Sequence, residues 1–193
     1  MSKPGSAELV LIRHAPLLAP GRLCGRTDDP ARIEAAEIAA LRARLPEVAA
    51  LVTSPALRCR QTAGALWPER AAIADPALWE QDFGAHDGLP FDRIPDLGPM
   101  SAVRLADWMP PGGESFADLC ARVAPALDAH AAAALRDGGS RALVVHAGVI
   151  RAALARVLGS VAAGLAFEVD TLSVTRLRCG SEGPVSVISV NAR

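Results

Sequence analysis

An arginine and a histidine stand together at Arg13 and His14, where the apolar run Leu9-Val10-Leu11-Ile12 ends. A neutral imidazole nitrogen is a nucleophile. A guanidinium is permanently charged and presents phosphate with a planar fork of donors, so the pair points to phosphoryl chemistry. His146 stands at the end of a further predicted buried strand, Arg141 to Val145. Arg58 falls in the first turn of a predicted helix, where free amides and the helix dipole already favour an anion. A cation is disfavoured there unless an anion is expected. Arg60, on the same helix, reads as a solvated residue. Taken alone, a strand-end Arg-His is more often a structural pair than a catalytic one.

The elements that would position these residues alternate between strand and helix. Residues 9 to 12 are continuously apolar and partly β-branched, which predicts a strand buried on both faces. A Gly/Pro/Arg loop, Pro16 to Pro30, leads to a predicted helix over Ala31 to Leu45. Strands follow at Ala50 to Thr53 and, more weakly, Ala71 to Ala74, with a helix over Ala56 to Leu66 between them. Residues 76 to 113 hold six prolines and several glycines, and are expected to fold over the sheet edge as a lid rather than join the core. Ser115 to Arg136 predicts a long helix that Pro125 should kink or break. Arg141 to Val145 is a further buried strand, with a helix over Val149 to Leu158 directly after it. Thr171 to Leu177 and Val185 to Val190 read as antiparallel edge strands. The expected fold is a three-layer α/β/α sandwich with a mostly parallel central sheet and an antiparallel edge. Parallel strands would bring His14 and His146 to one carboxyl edge, where open α/β sheets bind ligands.

Composition narrows the function. The 193 residues suit one domain, and 51% hydrophobic with 21% charged residues suits a compact globular chain. A net charge of −1 leaves no electrostatic footprint for nucleic acid. Of 20 basic residues only Lys3 is lysine. Cys24, Cys59, Cys120 and Cys179 lack zinc-finger or Cys-x-x-Cys spacing, which fits a reducing compartment. The stretch Met1 to Ala7 has no signal-peptide core and no segment is apolar enough to span a membrane, so a cytoplasmic location is expected. The histidines lack metalloprotease spacing and no Gly-x-Gly-x-x-Gly follows the first strand, so neither a metal nor a dinucleotide cofactor is expected.

Five ordered blocks resemble the histidine phosphatase superfamily that includes phosphoglycerate mutases. They are Leu11 to His14, Ser54 to Ala63, Leu78 to Gly84, Gly112 to Ser115, and Val145 to Arg151. The loop Gly21 to Asp28 looks most like the α-ribazole phosphatases of cobalamin synthesis. The resemblance implies a phosphoglycerate mutase-like domain over residues 1 to 193 with 76 to 113 as a lid-like insertion. It implies that His14 is the nucleophile and that Arg13, Arg58 and His146 hold the phosphate oxygens. It also implies that Glu80 is the acid and base, with Asp82 and Asp87 as alternatives. The partner would be a small phosphorylated metabolite; oligomeric state is open, with a homodimer as one option.

The chain also departs from the family pattern. Ala15 and Ala147 stand where glycine is usual, and would be strained if either position required φ > 0. Cys24 falls about where a threonine would contact phosphate, so one or two auxiliary donors are expected either to be absent or to be supplied by backbone groups of Gly25 and Arg26. His86 is expected on the lid surface and His130 on a plain helix face. Trp79, Phe91, Trp108 and Met109 are candidates for an apolar pocket or for lid packing. Besides a phosphomonoester hydrolase, the sequence admits a phosphoglycerate mutase-like isomerase or a non-catalytic phosphate-ligand binder.

Overall fold

A computed structural model describes residues 7–193; residues 1–6, on which the reading of the N-terminus largely rests, lie outside the described residues. The elements in chain order are β1 (Glu8–Arg13), α1 (Ala35–Arg42), β2 (Ala50–Thr53), α2 (Leu57–Leu66), β3 (Ile73–Ala74), α3 (Ala102–Asp107), α4 (Phe116–Arg136), β4 (Arg141–Val145), α5 (Ala147–Leu158), α6 (Val161–Gly164), β5 (Val174–Gly180) and β6 (Gly183–Ala192). The strands form one sheet in the order β3-β2-β4-β1-β5-β6. β3, β2, β4 and β1 run parallel, while β5 pairs antiparallel to β1 and β6 antiparallel to β5.

The continuous apolar runs follow from burial on both faces. Leu9 and Leu11 of β1, with Leu143 and Val145 of β4, pack against Leu119, Val123 and Leu127 of α4 and Ile150 and Leu154 of α5. The intervening Val10, Ile12, Ala142 and Val144 pack against Ile38 and Leu41 of α1 and Cys59, Ala63 and Leu66 of α2. Alternate side chains of one strand thus feed two cores. Mixed topology and helices on both faces match the expected sandwich. Among the described residues no helix is long and apolar enough to cross a membrane.

Several boundaries differ from expectation. Helix α1 begins at Ala35 rather than Ala31, because Ala31 bridges Leu17 and donates its N–H to Gln61 Oε1 (2.8 Å), while Arg32 N–H donates to the Pro16 carbonyl (2.7 Å). Helix α4 continues through Pro125 without a break. The ring removes one hydrogen bond, to the Ala121 carbonyl, but both residues are exposed and water can serve that oxygen. Helix α5 starts at Ala147, two residues before the predicted onset. β3 is only two residues long, and β5 starts at Val174 because Thr171 and Leu172 form a turn closed by Ser173 N–H to the Asp170 carbonyl (3.2 Å).

The 76–113 connection carries more regular structure than expected. It contains three 3-10 turns (Pro76–Leu78, Gly84–His86 and Phe91–Arg93) and helix α3. Leu78 and Ala106 are buried in the core beside α4. The next element is anchored at its start by a capping box: Ser115 Oγ accepts from Asp118 N–H (3.0 Å) and Asp118 Oδ2 accepts from Ser115 N–H (3.0 Å). Ser115→Ala is expected to cost about 1 kcal/mol of unfolding free energy, measured by urea titration.

Candidate active site

Three parallel strands end side by side. Arg13 of β1 lies opposite Val145 of β4, and Thr53 of β2 opposite Val144. His14 N–H donates to the Val145 carbonyl (2.9 Å) and Ser54 N–H to the Val144 carbonyl (3.0 Å). The residues that follow therefore meet. The His14 and His146 ring centroids are 5.3 Å apart in an edge-on arrangement. His146 Nε2 lies 2.8 Å from Ser54 Oγ.

His14 Nδ1 lies 2.7 Å from the Ala15 carbonyl. That oxygen can only accept, so Nδ1 carries the proton and Nε2 keeps its lone pair. Burial, then the cations Arg58 and Arg13, push the ring's pKa down to about 3 despite the Ala15 bond, so His14 is neutral at physiological pH. Burial and Arg58 likewise hold His146 well below the usual histidine range. Ala15 N–H donates to Thr62 Oγ1 (2.9 Å), which in turn donates to the Arg58 carbonyl (2.7 Å). Among the described residues the only non-glycine residues with positive φ are Leu172 and Asn191, so neither Ala15 nor Ala147 is strained. Their extra methyl groups are compatible with the backbone.

The N–H groups of Arg13 and Arg58 outnumber their acceptors. Arg13 donates to the Val169 carbonyl (2.5 Å) and Arg58 to the carbonyls of Thr27 (2.9 Å), Gly25 (2.8 Å) and Cys24 (3.5 Å). The Nε atoms of Arg13, Arg26 and Arg58 are buried with no partner among the described residues. Unpaired buried donors are costly, and an oxyanion is the ligand that would relieve them. The backbone amides of Gly25 and Arg26 do not fill the expected role. They donate instead to the Asp87 carboxylate (2.9 and 2.6 Å), as does Thr27 N–H (3.0 Å). Asp87, weighed from sequence as a proton donor, is a loop anchor. The Arg26 guanidinium lies over the Trp79 ring at 5.6 Å, and Trp79 stacks on His146 at 6.5 Å.

Glu80 is buried at the start of α5. Its Oε2 accepts from Gly148 N–H (3.2 Å) and its Oε1 from Gln81 N–H (3.0 Å). A Cβ on Gly148 would collide with Glu80 Oε1, so the carboxylate occupies the space that glycine leaves. Behind it, residues 82 to 84 run against 111 to 114 backbone to backbone. Glu114 N–H donates to the Asp82 carbonyl (2.8 Å) and Ala85 N–H to the Pro111 carbonyl (2.9 Å). A Cβ on Gly84 would collide with the Pro111 carbonyl oxygen, and one on Gly113 would meet the Asp82 oxygen at 2.5 Å. Gly84 and Gly113 lack side chains where these two segments touch, whereas Gly112 has open space and a positive φ of 73°.

Arg13, His14 and Glu80 open into one cavity of about 530 Å³, whose wall also includes Arg22, Arg151 and Cys24. Arg58 and His146 are not on that wall; both are fully buried beside His14. Phe91 lines the cavity, whereas Trp108 stacks on His86 at 5.7 Å and Met109 is exposed. His86 is therefore buried lid packing, not lid surface, and His130 pairs with Asp75 (2.9 Å) instead of standing free. Arg60 is exposed, as expected. Sequence reading missed Thr62 and Gln61, whose hydrogen bonds fix both ends of the 15 to 31 loop; they lay inside a quoted block without a role of their own. Among the described residues no group of three or more metal-ligating side chains occurs.

The model of the histidine phosphatase superfamily (branch 1) matches residues 9–192. Among solved structures, TTHB049 from Thermus thermophilus is 30% identical with a TM-score of 0.73, covering 96% of this chain and 99% of its own. The native mycobacterial glucosyl-3-phosphoglycerate phosphatase is 25% identical with a TM-score of 0.79, over 97% of this chain and 100% of its own. The same mycobacterial phosphatase in complex with VO3 is 27% identical with a TM-score of 0.80, over 97% and 100%. No curated protein matches the chain.

The depressed histidine has a cost in acid. In the unfolded chain it takes a proton near its ordinary pKa of about 6.5, whereas folded His14 does so only near 3. Between those values the unfolded state binds more protons, so stability falls as pH falls. His14 alone should remove about 2 kcal/mol between about pH 7 and 5, with His146 acting in the same direction. Urea unfolding of His14→Gln should show a correspondingly shallower pH dependence than the wild type. Equal slopes would contradict the buried neutral ring.

Proposed function

The chain belongs to the histidine phosphatase superfamily, and we propose that it hydrolyses phosphomonoesters through a phosphohistidine on His14, with arginines in the place a metal ion takes elsewhere. The observation that carries this is the neutral His14 ring, its Nδ1–H held by the Ala15 carbonyl and its Nε2 lone pair free, in one cavity with the Glu80 carboxyl. Nε2 attacks phosphorus and the phosphorus–oxygen bond to the alcohol breaks as the phosphorus–nitrogen bond forms. Glu80 gives its proton to the departing oxygen. The resulting carboxylate then takes a proton from water, whose oxygen attacks phosphorus. The phosphorus–nitrogen pair returns to His14 and inorganic phosphate leaves. Arg13 and Arg58 balance charge on the non-bridging oxygens, with Arg58 exchanging loop carbonyls for phosphate, and His146 donates beside them.

The finer reading is an α-ribazole phosphatase, a cytoplasmic enzyme of cobalamin synthesis. Two features support it: the Gly21 to Asp28 loop, and a cavity walled by Leu17, Leu23, Phe83, Phe91, Phe116 and Leu165 that suits a flat apolar group on the alcohol. A second reading has its own observation. Arg22 and Arg151 add two cations to the wall, which favours a substrate with a second anionic group, such as the glucosyl-3-phosphoglycerate acted on by the mycobacterial neighbour.

Rapid acid quench with a labelled phosphomonoester should trap a phosphoenzyme in the wild type and none in His14→Ala. A His14→Ala protein that hydrolysed an aryl phosphate at the wild-type rate would refute the mechanism. Arg58→Ala should lower kcat on the order of 100-fold or more. Across α-ribazole phosphate, adenosylcobalamin phosphate, glucosyl-3-phosphoglycerate and 3-phosphoglycerate, the first should have the highest kcat/KM. A preference for glucosyl-3-phosphoglycerate that Arg151→Ala abolishes would favour the second reading.

A further inference from the structure

Arg122, on α4 and outside the cavity wall, divides its donors between Glu114 and the segment that carries Glu80. Its Nε–H and one Nη2–H hold the two Glu114 carboxylate oxygens (2.6 and 2.8 Å). Its Nη1 donates to the carbonyls of Ala77 (2.7 Å) and Trp79 (3.1 Å), and the remaining Nη2–H to the Glu80 carbonyl (3.3 Å). All five N–H groups of a guanidinium are thereby engaged. Glu114 Oε2 also accepts from Asp82 N–H (3.1 Å), so the ion pair grips the chain on both sides of Glu80. Burial would raise the Glu114 pKa, but the Arg122 hydrogen bonds and the Asp82 amide outweigh it and hold the carboxyl ionised. A lone structural ion pair would not need three carbonyls of the 77 to 80 stretch.

We propose that Arg122 is the positioning residue for the Glu80 proton donor, setting where its carboxyl stands relative to His14. This rests on the reading of Glu80 as the acid. A lysine cannot replace it, because a point cation on a flexible stem reaches one or two of these acceptors and lacks the planar fork. Displacement of a positioned group by about 1 Å can cost on the order of 100-fold in rate.

The test is the dependence of kcat/KM on leaving-group basicity, since an activated aryl phosphate needs little protonation and an alkyl phosphate needs it fully. Wild type, Glu80→Gln, Arg122→Gln, Arg122→Lys and Glu114→Gln are compared on a series from dinitrophenyl phosphate to alkyl phosphates. Inhibition by inorganic phosphate reports whether the cradle is intact. Arg122→Gln should lose on the order of 10- to 100-fold on alkyl phosphates but less than about threefold on dinitrophenyl phosphate, paralleling Glu80→Gln, with phosphate inhibition within about twofold of wild type. Arg122→Lys and Glu114→Gln should show the same tilt at smaller amplitude, and carry the test if Arg122→Gln does not fold. An equal loss across the series in the Arg122 and Glu114 variants, while Glu80→Gln remains tilted, overturns the positioning role and leaves Glu80 as the acid. A flat series for Glu80→Gln overturns the acid assignment, and the role of Arg122 with it.

Discussion

Two backbone hydrogen bonds at the carboxyl edge of the sheet, from His14 to Val145 and from Ser54 to Val144, are the constraint on which the site depends. They keep β1, β2 and β4 in parallel register to their last residues. A histidine from the start of the chain and one from its last third thereby come to 5.3 Å. A slip of one residue would turn every side chain of a strand to the opposite face. Here both faces are packed, so register is enforced by the two cores together.

Burial then sets the chemistry. The same packing that excludes water from the strands leaves His14 neutral, and it makes unpaired guanidinium donors costly. The site is poor in acceptors around a cationic group. Backbone carbonyls of Cys24, Gly25 and Thr27 serve Arg58, and Asp87 gathers the amides of the same loop. One short loop is thus held by opposite charges at its two kinds of backbone group. Glu80 is held on another principle: it sits on a helix N-terminus in space that Gly148 vacates, and its own backbone is tied to α4.

Much of this was legible in the order of residues. Leu9 to Ile12 and Ala142 to Val145 announce strands covered on both sides, and the histidines that end them share an edge once the strands are parallel. Arg58 in a helix's first turn signals an anion because its placement opposes the dipole. Other features had no local signature. Ala15 and Ala147 looked doubtful only because φ could not be read from residue type, and both proved unstrained. Asp87 reaches the Arg26 amide 61 residues away and Arg122 the Ala77 carbonyl 45 residues away, while Trp79 stacks on a histidine of another strand end. No periodicity encodes such relations. The proline-rich 76 to 113 connection looked irregular, yet the backbone around Glu80 is held by a side chain of α4 rather than by repeating bonds of its own.

By itself the sequence determined the alternation of strands and helices, the two-sided burial of the central strands and the residue types available for phosphoryl transfer, because hydrophobic pattern and side-chain chemistry are local properties. The tertiary structure alone decided which nitrogen of His14 is free, that Gly25 and Arg26 amides serve Asp87, and that Arg58 and His146 stand beside His14 but off the cavity wall. Those outcomes depend on which acceptor each buried donor finds, and that is settled only when distant segments compete for the same few polar atoms.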